Sequence, residues 1–154
     1  MLYRIDRTCF PEDIAFSRTE LKFYLNHPES IARVAEEDGR ILGFVLARVE
    51  SPLFAHVLTL DIVTEARRRN IGTSLMEELH RMLRERGIGA AVLEVAINNI
   101  PAQRLYEKMH YQYLGILTGY YHGREDAYRM GVLISSKRSK RAAEERDKGS
   151  ITAK

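Results

Sequence analysis

Residues 60–76, LDIVTEARRRNIGTSLM, contain the end of one secondary structure element and the start of another, and this junction decides the fold. The overlapping segment 55–63, AHVLTLDIV, is predicted to form a strand. From Ile71 the apolar residues recur with the spacing of one helix face, at positions 71, 75, 79, 82 and 83, and Gly87 predicts the end of the helix. The stretch therefore predicts a β-strand followed, across a turn rich in arginine, by an amphipathic α-helix.

A second strand follows this helix and completes a βαβ unit. Residues 90–97, AAVLEVAI, are almost continuously apolar, which is typical of a buried strand in a parallel pair. Because a helix joins them, strands 55–63 and 90–97 are expected to lie parallel through a right-handed crossover. The sequence thus predicts an α/β fold around a mixed central sheet.

The other elements are predicted from local signals. Residues 32–50 are expected to form two strands around Glu37-Asp38-Gly39-Arg40, because Asp-Gly is a strong hairpin signal. Pro101 is expected in the first turn of a short helix. The remaining predicted elements are helices at 3–10, 18–26 and 101–109, a loop at 10–17, and an antiparallel strand pair at 111–121 and 126–134 around residues 122–125.

Composition excludes several classes of protein. The chain has 154 residues, 45% of them apolar and 29% charged, which suits one soluble domain. The longest apolar run, residues 41–47, is too short to cross a membrane, and charges at Arg4, Asp6 and Arg7 argue against a signal peptide, so we expect a cytoplasmic protein. Cys9 is the only cysteine and the histidines lack metal-ligand spacing, so no metal site is predicted.

The positive charge is concentrated at the carboxyl end. Residues 136–154 hold seven Lys or Arg and three Asp or Glu, which leaves 17 basic and 18 acidic residues in positions 1–135. The sequence predicts a folded domain at 1–135 and a basic polar tail at 136–154 that is disordered or loosely helical. Because the tail has no aromatic residue on which a base could stack, a solubilising role is favoured over nucleic-acid binding.

The arginine-rich turn has two readings. A helix N-terminus offers unpaired backbone N–H groups and a partial positive charge, so a strand, a flexible turn and a helix form a ready anion site. Arg67, Arg68 and Arg69 add charge, and Gly72 allows close approach to the backbone. The other reading is a solvated helix start coated with arginines, and spacing alone leaves both open.

Three segments, in order along the chain, resemble the GCN5-related N-acetyltransferase (GNAT) superfamily. Residues 60–76 are similar to its acetyl-CoA motif, Q/R-x-x-G-x-G/A, and LEVAINNIPAQRLYEKMHY (93–111) resembles its LEVR-x-x-N-x-x-A-x-x-LYEK-x-x-F segment. GYYHGREDAYRM (119–130) resembles the closing hairpin of the RimI/Ard1-like branch of N-terminal protein acetyltransferases. The resemblance covers residues 3–135 and implies a GNAT fold with a splayed parallel strand pair.

The resemblance implies that acetyl-CoA is the cofactor and that the main chain makes most of its contacts. The backbone at Leu60, Asp61 and Ile62 would pair with the pantetheine arm as though it were an added strand, and Asn99 would hydrogen-bond that arm. The pyrophosphate would be surrounded by the amides of Arg67, Arg68, Arg69, Asn70, Ile71, Gly72 and Thr73.

The resemblance also implies catalytic roles. Tyr106 would lie near the thioester sulfur and protonate the departing thiolate, Glu94 would be the general base, and His56 is a reserve base. Each has a structural alternative: Glu94 as a buried ion pair, Tyr106 as a core aromatic residue, and Asn99 as a helix cap before Pro101. Attack by the amine is direct, so no Ser or Cys nucleophile is required.

The predicted function is transfer of acetyl from acetyl-CoA to the N-terminal amine of a protein, with ribosomal proteins among the candidate acceptors. Phe10, Pro11 and Glu12 would line the peptide site, opposite Tyr120 and Tyr121, which alternatively form an ordinary cross-strand pair. Two other functions remain open: an acetyltransferase for a lysine side chain or small amine, and a non-catalytic module that binds CoA or docks on ribosomes.

The sequence departs from the family pattern at three places. Asn70 stands at the first glycine of the motif, and asparagine tolerates a left-handed conformation, so the turn is expected to survive. Ala96 replaces the arginine of LEVR, which removes any contact that this arginine makes. The sequence begins at the first helix: either the sheet lacks its first edge strand or the sequence starts too late. An exposed edge would favour dimers, so monomer and homodimer both remain open.

Overall fold

A computed structural model describes residues 1–134, so the tail predicted at 136–154 and the domain boundary at 135 lie outside it. Within the described residues the chain forms four α-helices, six strands and one 3-10 helix, Thr64–Ala66. The helices are α1 (Leu2–Cys9), α2 (Arg18–Asn26), α3 (Ile71–Glu85) and α4 (Ile100–Lys108). The strands are β1 (Ser30–Glu37), β2 (Arg40–Val49), β3 (Phe54–Ile62), β4 (Ala90–Ala96), β5 (Gln112–Tyr121) and β6 (Glu125–Leu133).

The elements predicted from local signals are confirmed, with ends that differ by one or two residues. At the β1–β2 turn, Asp38 and Gly39 have φ of 49° and 74°, and positive φ at both central residues is what a two-residue hairpin turn requires. Pro101 lies in the first turn of α4, as predicted. Local turn chemistry was therefore a sufficient guide to these boundaries.

The sheet is mixed, with the strand order β1-β2-β3-β4-β6-β5 in the described part of the chain. Every neighbouring pair is antiparallel except β3–β4, which confirms the predicted parallel pair. These two strands pair only from Phe54–Ala90 to His56–Val92, although both continue beyond that point. The parallel pair is therefore splayed, as the family resemblance implied.

A β-bulge lies where β3 separates from β4. Leu46 of β2 is opposite Thr59, but the next residue, Ala47, is opposite Val57, so Leu58 is an extra residue in β3. A bulge bends its strand and increases the local twist. Because the extra residue lies just beyond the last β3–β4 pair, we attribute the opening between the two strands to this bend.

The two faces of the sheet carry separate apolar cores. The predicted stripe of α3 is confirmed, since Leu75, Leu79 and Leu83 pack in the larger cluster with Val45 and Leu93. On the other face α1 and α2 contribute a smaller cluster, which contains Ile5, Leu21, Phe44 and Leu46. None of the helices described in residues 1–134 is both long and apolar enough to cross a membrane.

Candidate active site

The turn before α3 contains two residues other than glycine in the left-handed region. Arg68 has φ of 59° and Asn70 has φ of 64°. Asparagine enters this region more readily than most residues, so the turn survives the replacement of the motif's first glycine, as predicted. Amides on either side of left-handed residues converge and form concave anion sites.

The first turn of α3 offers uncommitted amide donors. Its hydrogen-bond ladder begins with Ser74 N donating to the Asn70 carbonyl at 3.1 Å, so the amides of residues 71–73 precede the ladder. In the described chain α3 has no side-chain cap, whereas α2 and α4 are capped by Ser17 and Asn99. This helix start therefore has the donors and the positive polarity to bind a phosphate group.

Two of the three arginine side chains at this turn are engaged within the protein. Arg69 Nη2 donates to Glu37 Oε1 at 2.6 Å, and Arg67 Nε donates to the Ile62 carbonyl at 3.2 Å. Arg69 and Glu37 are both about half exposed, so this ion pair adds little to stability. The main-chain amides, more than the guanidinium groups, define the anion site.

Gly72 has a packing role at the same turn. A Cβ atom at this position would lie 2.8 Å from Leu105 Cδ1 of α4, which is closer than carbon atoms pack. Glycine therefore allows α3 to start directly against α4. The sequence attributed this glycine to backbone approach by a phosphate, and helix packing is a further reason for it.

The free edge of β3 faces the opening left by β4. Leu60, Asp61 and Ile62 lie on this edge, and past His56 β3 has no strand partner on that side within residues 1–134. The Ile62 carbonyl is already engaged, because it accepts from Arg67 Nε at 3.2 Å and from Cys9 Sγ at 3.4 Å. The open edge and the adjoining amides fit a strand-like pantetheine arm that ends in a pyrophosphate, with Ile62 the least available of the three residues.

A buried pair of carboxyl groups joins β3 to α1. The Asp61 side chain is fully buried and accepts from Thr59 Oγ1 at 2.6 Å; Asp6, also buried, accepts from the Phe16 amide at 2.7 Å. Burial and the adjacent Asp6 carboxyl together raise the pKa of Asp61 to about 8, although the hydrogen bond from Thr59 opposes this shift. The two carboxyl groups influence each other's pKa, and Asp6 also holds the Phe16 amide, so the pair connects the loop at 10–17 with β3, a link the sequence analysis missed.

Tyr106 lies in α4 and is both a core residue and a candidate acid. It is buried in the larger cluster, with its ring centroid 5.7 Å from that of Tyr111. Burial, followed by the neighbouring Tyr121 and Asp61, raises the pKa of Tyr106 well above its usual value. The phenol is protonated at neutral pH, as a proton donor must be, and its raised pKa makes it a weaker acid than a free phenol.

The start of α4 is held by two polar side chains. Asn99 Oδ1 accepts from the Ala102 amide at 3.3 Å, so the helix-cap alternative for Asn99 is confirmed. Gln103, which the sequence analysis missed, is buried and donates to the carbonyls of Ala96 and Ile97 at 3.0 and 2.9 Å. These contacts fix the end of β4 against α4, and through it the position of Tyr106.

His56 and Glu94, which the sequence analysis treated as alternative bases, are hydrogen-bonded to each other. His56 belongs to the last residue pair before the strands separate, and Glu94 lies two residues past that pair on β4. His56 Nε2 is 2.5 Å from Glu94 Oε2. The structure therefore joins the two candidates at the mouth of the opening between β3 and β4.

Arg129 of β6 holds the other oxygen of Glu94. It is directly opposite Glu94 in the antiparallel pair, and its Nε and Nη2 donate to Glu94 Oε1 at 3.1 and 2.8 Å. The Glu94 side chain is only 4% exposed. Burial opposes ionisation of this carboxyl, but the hydrogen bonds from His56 and Arg129 outweigh it and lower its pKa, so Glu94 is ionised with both oxygens engaged.

The predicted peptide-site residues are divided between two elements. Tyr120 and Tyr121 end β5, with ring centroids 4.9 Å apart in an edge-to-face contact; burial and the nearby Glu94 charge raise the pKa of both phenols. Phe10 is half-buried at the end of α1, and Pro11 is exposed. Glu12 is 82% exposed and bound to Arg7 at 2.7 Å, so its carboxylate is directed to the protein surface.

Comparison with known proteins agrees with this geometry. The model of the acetyltransferase (GNAT) family matches residues 1–111. An N-alpha-acetyltransferase of Sulfurisphaera tokodaii is 30% identical over 146 residues, covering 85% of this chain and 84% of the relative. A [ribosomal protein bS18]-alanine N-acetyltransferase of Salmonella typhimurium is 31% identical over 128 residues, covering 79% and 84%.

A solved structure extends the likeness to the fold. The crystal structure of Arabidopsis thaliana NAA60 in complex with acetyl-CoA superposes with a TM-score of 0.75, at 25% identity, and covers 86% of this chain and 91% of that one. The uncapped start of α3 and the open edge of β3 fit the same cofactor. The chain belongs to the GNAT family and is an N-acetyltransferase that uses acetyl-CoA.

Proposed function

We propose that this protein transfers an acetyl group from acetyl-CoA to the N-terminal amine of a protein. The observation that supports the proposal best is the His56–Glu94 hydrogen bond at the mouth of the β3–β4 opening. In this proposal the pair provides the proton acceptor for an incoming amine that meets the acyl group of a donor lying along β3. The relatives named for N-alpha-acetylation support the same acceptor class.

The ionisation of amines favours an N-terminal acceptor. Only a neutral amine attacks a thioester, and at pH 7 an α-amino group with a pKa of about 8 is roughly 10% neutral, whereas a lysine side chain is some 250-fold less so. That difference is worth about 3 kcal/mol. An imidazole suffices as the base for an N-terminal amine, whereas for a lysine acceptor the enzyme would have to overcome this additional difference in ionisation.

In this proposal His56 is the base and Glu94 orients it. Glu94 is buried and ionised with both oxygens engaged, so it is poorly placed to accept another proton. Its oxygen instead accepts from His56 Nε2–H, which leaves Nδ1 of the ring as the proton acceptor. Between the two bases left open by the sequence, this geometry favours His56.

In this proposal Tyr106 supplies the proton that the departing sulfur requires. When bound, acetyl-CoA supplies the acetyl group as a thioester. Tyr106 then donates its phenolic proton to the departing sulfur, a role that its protonated state permits. The charge of Glu94 raises the pKa of the Tyr121 phenol, and Tyr121 in turn contributes to the raised pKa of Tyr106.

The acceptor enters beside the ends of β5 and α1. In this proposal Tyr120 and Tyr121 form one wall of the peptide site, and Phe10 and Pro11 form the other. Apolar and phenolic walls suit an unstructured peptide terminus. Nascent or ribosomal proteins in the cytoplasm are the corresponding acceptors, and the Salmonella relative named for ribosomal protein bS18 is consistent with them.

Peptide acetylation tests the proposal. CoA release with acetyl-CoA is measured for a short lysine-containing peptide, for the same peptide with a blocked N-terminus, and for a small diamine. We expect release only with the free N-terminus. Equal release from the blocked peptide would assign the enzyme to lysine side chains, and turnover of the diamine alone would assign it to small amines. Cofactor binding without any turnover would leave a non-catalytic module.

A further inference from the structure

His56 faces two carboxylates, and each of these is paired with an arginine. Glu94 Oε2 lies 2.5 Å from His56 Nε2 and Glu50 Oε1 lies 3.9 Å from His56 Nδ1. Glu94 is held by Arg129 at 2.8 Å and Glu50 by Arg48 at 2.7 Å. The imidazole therefore lies between two ion pairs, one on each ring nitrogen.

The two ion pairs come from different parts of the sheet. Arg129 is directly opposite Glu94 on β6, while Arg48 is directly opposite His56 on β2 and uses both Nε and Nη2 to bind Glu50. The guanidinium of Arg48 also lies over the Tyr24 ring of α2, at 5.5 Å. Ala96, next on the same face of β4 as Glu94, contributes no charge.

Charge compensation of these carboxylates affects the protonation state of the imidazole beside them. An uncompensated carboxylate within about 4 Å favours the imidazolium form, which has no lone pair for an amine proton. A paired carboxylate retains its hydrogen-bonding oxygen while its charge is largely cancelled. The ionisable groups that face this region are Glu94 of β4, Arg129 of β6, Arg48 of β2, Glu50 after it, Tyr120 of β5 and Tyr24 of α2.

We infer that Arg129 and Arg48 are positioning residues that each neutralise one of the carboxylates facing His56, and so keep its imidazole neutral and able to accept a proton. The inference rests on the proposed function, in which His56 is the base. Arg129 has the larger share, because Glu94 is buried and closer to the ring than Glu50, which is 26% exposed. Neither arginine needs to touch the substrate.

The pH titration of His56 tests this without using activity. The ring proton signal of His56 is followed by NMR in the wild type and in Arg129→Met, assigned with His56→Gln. We expect the midpoint in Arg129→Met to move up by about one pH unit. Arg48→Met should give a smaller upward shift, and Arg129→Lys, which retains the charge, should stay close to the wild type. Unchanged midpoints in both Met variants would overturn the inference.

The pH profile of kcat/KM separates this inference from the proposed function. If both hold, the acidic limb in Arg129→Met shifts with the NMR midpoint, and activity at pH 7 falls by up to about tenfold and recovers at higher pH. A shifted midpoint with an unshifted acidic limb would support charge compensation but remove His56 as the base.

Should Arg129→Met fail to fold, because it leaves Glu94 buried and unpaired, the Glu94→Gln/Arg129→Met double variant replaces it. The His56 midpoint in the double variant should lie below the midpoint expected for Arg129→Met and near the midpoint measured for Glu94→Gln. A His56 midpoint above that of the wild type would overturn the inference.

Discussion

The two ends of β3 differ in how they form their parts of the site. At the carboxyl end, consecutive residues of one segment, the turn at 67–70 and the first turn of α3, present main-chain amides. Near the amino end, His56, Glu94 and Arg129 come from three strands and act through side chains. A site built from consecutive main-chain groups follows from local sequence, whereas one built from side chains of three strands depends on their register.

The largest expected effect is at the side-chain end. His56→Gln removes the proposed base and should lower kcat about 100- to 1000-fold, in the range usual for loss of a general base. Acetyl-CoA affinity, measured by isothermal titration calorimetry, should change less than about twofold, because the cofactor amides lie at the other end of β3. Wild-type turnover in this variant would eliminate His56 as the base.

Tyr106→Phe tests the proposed proton donor on α4. Removal of one hydroxyl from a packed ring should preserve the fold while kcat falls about 10- to 100-fold. The cofactor dissociation constant should change much less than kcat, and both are obtained from steady-state kinetics and calorimetry on the same preparation. Unchanged turnover would leave Tyr106 with only its core role.

At the main-chain end, a proline tests the amides directly. Thr73→Pro removes one N–H that precedes the α3 hydrogen-bond ladder, at a position where a helix tolerates proline. Loss of one hydrogen bond to a charged group should weaken CoA binding about tenfold or more. Thr73→Val, which retains the amide, is the matched control and should bind CoA nearly as well as the wild type. Equal affinity in the two variants would indicate that the side chains, not the amides, hold the phosphates.

The last effect is on stability rather than on activity, and it concerns the carboxyl pair that joins β3 to α1. Because the pKa of Asp61 is raised to about 8, the folded protein retains a proton that the unfolded chain has lost above about pH 4. The free energy of unfolding should therefore fall as pH rises toward 8, by on the order of 1–3 kcal/mol. Urea unfolding at pH 5 and pH 9 measures this fall, and Asp61→Asn, which carries no titrating proton, should show a flatter dependence. An equal dependence in both proteins would contradict a raised pKa of Asp61 in the folded state.

Local signals predicted the elements well because each depends on neighbouring residues. The apolar spacing of α3, the Asp38-Gly39 turn and Pro101 at the start of α4 are of this kind, and all three are confirmed. The conformation of Asn70 was predicted for the same reason, since it follows from the side chain and its own backbone. Apart from the parallel β3–β4 pairing, which the connecting helix predicted, contacts between residues far apart in the chain were predicted only where the family resemblance supplied them.

Besides Gln103, three features escaped the sequence reasoning. Arg129 was read as part of a closing strand, and only the register of β4 with β6 puts it opposite Glu94. Asp6 and Asp61 are 55 positions apart, and nothing in either segment marks them as neighbours. The bulge at Leu58 depends on how β2 pairs with β3, which no local pattern specifies.

The sequence by itself determined the order of the elements, the parallel β3–β4 pair and the amide-rich start of α3, because periodicity, turn chemistry and helix termini are properties of consecutive residues. Tertiary structure decided that His56 and Glu94 form one hydrogen-bonded unit rather than competing bases, and that arginines compensate the charges around them. Strand register sets which side chains are within about 3 Å of one another, and that register depends on the packing of the whole sheet.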